Sequence, residues 1–313
     1  MIRVAIGTAG VLGLANIKMD ATPTTAHIMT SGKCIFDCKF CTQARSSNAD
    51  QKLLSRISWP EYEEEKFFNA LKEKQNEFKR TCLQVVHSKG NEVYLRYVKR
   101  IKEACDLPIS IDLKADNMGI VRRAFEAGAD VVGLPVDAAN SKIYSEIKQG
   151  SLSSQMELIK QAAKEIKGKI STHLMIGLGE SEKDAVLLMR EMQKNGVTTA
   201  LFAFTPIKGT ALENRKQPSI AHYRRIQAAR FLIYNDFMPN IKFGENGKIL
   251  NFGFNNQELL NKLEPSAFQT TGCPDCNRPF YNERPGGELY NYPYVPSKEE
   301  HKRALQEATV DLE

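Results

Sequence analysis

Cys34–Cys41 reads CIFDCKFC, three cysteines at a C-x3-C-x2-C spacing with Phe40 immediately before the last. A 4Fe–4S cube has four irons, and three thiolates from one short loop hold three of its corners. The fourth iron then stays open to a ligand that is not protein. A structural zinc ion asks for a fourth ligand close by, and this loop contains none. Three buried thiols that merely cluster are the alternative. Among 7 cysteines in 313 residues, chance gives this spacing in well under ~1% of chains. Cys34, Cys38 and Cys41 are therefore expected to hold a cube.

Ala26–Thr30 reads as a strand that delivers the chain into the cysteine loop. Beyond the loop, Trp59-Pro60-Glu61 opens a helix to about Phe78, with Phe67, Phe68, Leu71 and Phe78 on one face. Strand Cys82–Val86, helix Val93–Cys105 and strand Pro108–Leu113 follow. Next come helix Met118–Ala127, closed by Gly128, strand Asp130–Pro135, and helices across Ser141–Lys167. Strand Ile170–Ile176, helix Ser181–Lys194, strand Val197–Phe204 and helix Ile220–Tyr234 complete the alternation. Six strand–helix units predict an α/β protein, a partial parallel (β/α)6 barrel. From about Asn235 the alternation ends in a tail rich in Gly, Pro, Asn and Tyr. The expected organisation is an N-terminal extension over 1–23 and a barrel over 24–235. An irregular C-terminal extension over 236–313 is expected to cover the barrel mouth.

A 42% hydrophobic chain of 313 residues can bury one large core, with room for a small appendage. The 43 basic and 37 acidic residues leave a net charge of +6. That is too weak to argue nucleic acid, but it favours an acidic protein partner. An odd number of cysteines at metal-like spacings points to a reducing, cytoplasmic compartment. Val4–Leu14 is apolar, but its single preceding basic residue, its glycines and the lack of a cleavage site argue against a signal peptide. No segment is long enough to span a membrane.

Parallel barrels place chemistry at the carboxyl ends of their strands. Asp137 follows the fourth strand, where a carboxylate could bind ribose hydroxyls or simply cap a helix. Gly177-Leu178-Gly179-Glu180 follows the fifth strand. Gly177 and Gly179 would permit close approach of a nucleoside, or the run is only a turn before a helix, with Glu180 at its positive end. Phe204 and Pro206 follow the sixth strand. His87 and His173, near strand ends, read as cavity lining rather than metal ligands. Cys273 and Cys276 form a CxxC in a Gly/Pro-rich loop, a metal half-site for either zinc or iron–sulfur.

The first cysteine motif, with Phe40, is the signature of the radical S-adenosylmethionine (SAM) enzymes, and the chain resembles that family. The resemblance implies that SAM chelates the open iron. An electron, here from an external donor, then cleaves the sulfonium to a 5′-deoxyadenosyl radical. The runs MIGLGES, FTPIKGTAL and VDAAN are similar to biotin synthase and its relatives, over about Thr24 to Phe243. In that family the residue matching Asp137 contacts ribose, and the last two strands cradle the adenine and methionyl parts. Biotin synthase also holds a 2Fe–2S cluster on three cysteines and an arginine. Here only Cys82 matches; Ile109–Ile111, Ser171 and Lys242 stand at about the other three positions.

The longer pattern THLMIGLGE, LFAFTPIKGT, GCPDCNRPFYNE and YNYP resembles the two-component lipoyl synthases. That resemblance implies a second, auxiliary 4Fe–4S cluster. It also implies a paired homologous radical SAM protein, and an octanoylated lipoyl domain or glycine-cleavage H protein as substrate. Cys82, expected to point into the barrel mouth, is the thiol expected to join Cys273 and Cys276. Cys105, on a core-facing helix stripe, reads as a buried free thiol. The alternatives are biotin synthase-like sulfur insertion into a small molecule and a radical methylase or maturase. An iron–sulfur carrier or zinc-stabilised binding module is the non-enzyme reading.

Overall fold

A computed structural model of the protein describes residues 1–88, 92–283, 286–310 and 312. Arg284 and Pro285 of the tail motif lie outside them. In chain order the elements begin with β1 (Ile2–Val4), α1 (Ile6–Val11) and β2 (Thr25–Met29). After the cysteine loop come β3 (Leu53–Leu54), β4 (Ile57–Ser58), β5 (Glu61–Tyr62) and α2 (Glu64–Lys74). The alternating part continues with β6 (Arg80–Gln84), α3 (Val93–Ala104), β7 (Ile109–Asp112), α4 (Met118–Glu126) and β8 (Val131–Gly133). Then follow α5 (Ser141–Lys148), α6 (Leu152–Glu165), β9 (Ile170–Ile176), α7 (Glu182–Lys194), β10 (Thr198–Ala203) and α8 (Ile220–Tyr234). The tail adds β11 (Lys242–Phe243), β12 (Ile249–Asn251), α9 (Asn256–Lys262) and α10 (Lys298–Thr309).

The main sheet runs β10-β9-β8-β7-β6-β2-β1-β5. Its six strands from β2 to β10 are parallel, as the sequence predicts. β1 and β5 extend it antiparallel. The two outer strands do not pair with each other, so the barrel is partial and has an open seam. Side chains alternate across each strand. Leu83, Ile109, Ile111, Val132, Leu174 and Leu201 are fully buried on the helix side, each contributing about 1.5–3 kcal/mol by leaving water. Polar residues face the other way, into the barrel. The register places His27 beside Cys82 and Cys82 beside Ser110. One step higher, Gln84, Asp112, Gly133 and Ser171 form the next layer.

Three expectations need correction. The helix drawn from Trp59 starts only at Glu64, because Pro60 lies in an edge connection whose carbonyl accepts from Val4 N at 3.1 Å. Glu61 and Tyr62 then pair with β1. The tail is not irregular throughout: α9 and α10 both begin with capping boxes, Asn255 with Glu258 and Ser297 with Glu300. α10 packs on the outer face of α8, which explains why Arg224 is 1% exposed yet satisfied by Glu307 at 2.9 Å and by the Tyr290 carbonyl at 2.8 Å.

The third correction concerns where the tail goes. Asp275 and Asn277 bond Thr24, just ahead of β2. The Pro274 carbonyl accepts from Arg80, the first residue of β6, at 2.9 Å. The CxxC turn therefore reaches the amino ends of the strands, not the mouth. From there the chain climbs the seam, and the Asn282 side chain bonds both N and O of Ala203 at 3.2 and 2.7 Å. A side chain thus satisfies the backbone edge that barrel closure would otherwise have paired.

Candidate active site

One cavity of about 270 Å³ runs through the barrel, with cysteines at both ends. Cys34, Cys38 and Cys41 line its upper end, in the loop after β2. The loop is pinned from several sides. Cys41 N donates to the Cys38 carbonyl at 2.9 Å, Lys39 N to Ile147 O at 2.9 Å, and Ile35 N to His87 O at 2.7 Å. Ser46 N donates to Asp37 at 2.8 Å, tying the loop's exit to its start. Phe40 lines the cavity and packs partly buried against the core. Burial pushes the Cys41 thiol up to about 12, with Cys38 adding to it, and burial raises Cys38 as well. Loading metal must offset that cost by taking thiolates. Three soft donors on one pinned loop, facing a cavity, fit a 4Fe–4S cube with one open corner.

Asp137 stands beside this end, buried and with φ 61°. Asparagine and aspartate tolerate that left-handed conformation better than most residues. Its backbone continues the pairing with β9, accepting from Met175 N and donating to His173 O. Asp137 is not a helix cap; Asn140 caps α5. Its carboxylate meets Lys148 Nζ at 2.5 Å and His173 Nε2 at 2.9 Å. Burial alone would raise the Asp137 carboxyl, but Lys148 and His173 hold it well below the usual range. Burial works against charge on Lys148, and Asp137 reverses that. Lys148 also donates to Pro135 O at 2.7 Å. Sequence reasoning passed over Lys148; its signal was a lysine four residues after Tyr144, on the face of α5 that carries buried Tyr144 and Ile147.

Gly177, Gly179, Glu180, Phe204 and Pro206 do not line the cavity. A Cβ on Gly177 would meet Pro218 at 2.7 Å, and its φ is +106°. The glycine therefore serves packing between the β9 exit and the start of α8. The Glu180 carboxylate folds back onto Gly177 N at 2.6 Å and Leu178 N at 3.0 Å. Phe204 is 1% exposed within the apolar core. Lys242 lies exposed in the β11–β12 hairpin, away from the barrel interior. His87 accepts from Lys114 N at 2.9 Å, and His173 binds Asp137; both line the cavity as expected.

The lower end gathers Cys82, Cys273 and Cys276. Ser110 Oγ lies 3.3 Å from Cys273 Sγ and accepts from Arg80 at 2.8 Å. Gln84 Nε2 reaches both Cys82 Sγ at 3.2 Å and Asp112 at 2.7 Å. His27 Nε2 stands 3.9 Å from Cys276 Sγ. Burial, with Arg278 adding, lowers His27 to about 3, so the ring is neutral. Burial and neighbouring Asp112 raise Cys82 well above the usual thiol value, and burial raises Cys273. Cys105 is elsewhere, buried against Ile101 as expected. Among the described residues no three His, Cys, Asp or Glu side chains converge on a single-ion site. A cube spreads its thiolates over separate corners, so it does not need that convergence. The polar residues of this end were legible as an inward alternation: Arg80-x-Cys82-x-Gln84 and Ser110-x-Asp112.

The sequence profile of the radical SAM superfamily matches residues 28–192. The chain is 22% identical over 248 residues to a biotin synthase of Clostridium acetobutylicum, covering 76% of this chain and 70% of that protein. An uncharacterized protein of Methanocaldococcus jannaschii is 24% identical over 177 residues, 56% of this chain. This chain spans only 46% of that relative's length. Among solved structures, methylornithine synthase has a TM-score of 0.53 at 19% identity, covering 67% of this chain and 62% of its own. An FeFe-hydrogenase maturase from Carboxydothermus hydrogenoformans has a TM-score of 0.52 at 16% identity, covering 76% and 55%. Those structural likenesses speak to the fold, and the described helices include none long and apolar enough to cross a membrane. With its three-cysteine loop at the head of a partial parallel barrel, this biotin synthase-like chain belongs to the radical SAM superfamily.

Proposed function

We propose that the protein is a radical SAM sulfur-inserting enzyme, one of two components of a lipoyl synthase. On this reading it places one sulfur in the octanoyl chain on a lysine of a lipoyl domain or glycine-cleavage H protein. The observation that carries it is the second cysteine set, Cys82, Cys273 and Cys276, facing the first across one cavity. When bound, the cube and SAM supply hydrogen-atom abstraction from unactivated carbon, which acid–base groups cannot perform, and an auxiliary cluster supplies sulfide.

The chain's own residues divide the remaining work. Cys34, Cys38 and Cys41 would hold the first cube. Asp137 and His173 present an already oriented polar edge to a nucleoside, while Lys148 keeps the carboxylate ionised. Cys82, Cys273 and Cys276 would hold the auxiliary 4Fe–4S cluster. The tail in the seam keeps water from the space between. The +6 net charge suits an acidic carrier domain. A homologous radical SAM protein would make the other C–S bond, and an external donor in a reducing compartment would supply electrons.

Small-molecule sulfur insertion has one observation in its favour, the identity to biotin synthases. Against it, serines Ser110 and Ser171 face the cavity where that resemblance asks for cysteines. Anaerobic reconstitution with SAM and an octanoylated lipoyl-domain peptide decides the matter, with mass spectrometry counting sulfurs. A gain of one sulfur supports the reading. A gain of two from this protein alone, or deoxyadenosine with no thiolated peptide, overturns it.

A further inference from the structure

Three thiols leave one corner of a cube without a protein donor, and the side chains around Cys82, Cys273 and Cys276 can be taken in turn. Ser110 is held by Arg80, Asp112 by Gln84, and His27 already faces Cys276. Arg278 donates to Thr271 O at 2.5 Å and lies 3.8 Å over the Phe202 ring. Two hydroxyls lining the same cavity are buried with no hydrogen-bond partner among the described residues, those of Thr25 and Tyr281. An unpaired buried hydroxyl is destabilising, and native structures seldom carry one without a reason.

Tyr281 is the better placed of the two. It sits five residues after Cys276 on the same climbing loop, and it lines the cavity together with Cys82, Cys273 and Cys276. Its ring is clamped, tilted against His27 at 5.2 Å and edge-on to Trp59 at 6.3 Å. Its carbonyl accepts from Ser55 at 3.0 Å. The loop that presents it is strained: Asp275, Arg278 and Phe280 all have positive φ, at 61°, 33° and 60°. Such conformations are strained for residues other than glycine and persist where the surroundings over-determine them. Strain, clamping and an orphan oxygen together describe a side chain held in readiness for something.

Resting on the auxiliary-cluster reading above, we propose that the Tyr281 phenol oxygen is the fourth protein donor to that cluster. It completes a three-sulfur, one-oxygen site with Cys82, Cys273 and Cys276. An Fe–O bond forms as the O–H bond breaks, and the proton leaves to solvent when the cluster loads. An oxygen donor differs from a fourth thiolate in being the weaker, harder ligand for iron. The corner it holds is the one most readily opened to an incoming group.

The test uses the full chain carrying Cys34→Ala, Cys38→Ala and Cys41→Ala, so that only the auxiliary cluster contributes. This protein is reconstituted anaerobically with ring-deuterated tyrosine incorporated. About four irons per chain are expected, with deuterium coupling from one tyrosine in the reduced cluster's electron–nuclear double resonance spectrum. Adding Tyr281→Phe should keep the iron, abolish that coupling, shift the g-values and let cyanide bind. Thr25→Val should change none of these. Four irons without tyrosine coupling would overturn the Tyr281 assignment while leaving the cluster in place. Absence of iron in the triple-alanine protein would instead overturn the auxiliary cluster itself, and the ligand assignment with it. The coupling is read in protein with Tyr281 intact, so misfolding of the phenylalanine variant would not blunt the test.

Discussion

Lys148 shows how a residue can be decisive and still be hidden in sequence. A lysine on a helix is ordinarily a solvated charge, yet this one is 2% exposed and bound to Asp137. Its role depends on a carboxylate eleven residues away that folds back through a left-handed backbone, which periodicity does not reveal. Asp137 was legible because it follows a strand in a parallel barrel, and His173 was legible as cavity lining; their pairing, and Lys148 as the third member, were not. Replacing Lys148 with Met leaves a buried carboxylate with His173 alone, and breaking such pairs costs about 3–5 kcal/mol. Urea unfolding of the metal-free protein measures this; a change under ~1 kcal/mol would remove the pair from the account. The sign with pH follows from the two shifts. Asp137 is depressed below 3.8, so its contribution is complete above that pH and is lost as pH falls through the lower folded value. Lys148 is raised above 10.5, so its contribution is complete below that pH and is lost only in stronger alkali. Between those limits the pair's contribution to wild-type stability should stay flat, and below pH 3.8 it should decline as Asp137 takes up its proton.

At the scale of elements, the alternation of strands and helices was legible because each parallel strand is apolar on its helix face and each helix carries one apolar stripe. Boundaries failed where one signal has two meanings. Pro60 reads as a helix start, but proline also suits edge connections, and the pairing of Glu61–Tyr62 with β1 decided for the edge. The capping boxes at Asn255 and Ser297 were readable and mark the two helices that composition hid within the tail. Asn282 had no local signal, since its partner Ala203 is 79 residues away. It substitutes for a strand at the edge of β10. Asn282→Ala should strip the Ala203 amide of its partner and leave the Ala203 carbonyl only the Thr205 hydroxyl at 3.3 Å, destabilising by about 1–3 kcal/mol. Hydrogen exchange checks it directly: the Ala203 amide should exchange markedly faster, with β2 and β6 unaffected. Unchanged protection at Ala203 would mean that the seam is sealed by something other than this side chain.

Over the whole molecule, the cavity has a direction: one cysteine set at the carboxyl ends of the strands, the other reached from the amino ends by the tail. Sequence spacing picked out Cys34, Cys38 and Cys41 and the Cys273–Cys276 pair, while Cys82 was joined to that pair by its expected place in the barrel. It misplaced the second at the mouth, because which end of a barrel a 78-residue extension (236–313) reaches is decided by contacts such as Thr24 with Asn277, far apart in the chain. On the proposed reading the two sets have separate tasks, and a double variant tests that separation. In Cys273→Ala, Cys276→Ala protein the loop Cys34–Cys41 keeps its own pinning bonds, none of which involves the tail. SAM cleavage to deoxyadenosine should therefore persist, and iron should fall by about four per chain. No C–S bond should form on an octanoylated peptide, since no sulfide donor remains. A zinc knuckle predicts a different loss, zinc falling while iron holds. A purely structural tail predicts product in proportion to whatever protein stays folded. Sulfur insertion retained per folded molecule would defeat the assignment, because the one cysteine outside the two sets, Cys105, is buried against Ile101 and does not line the cavity.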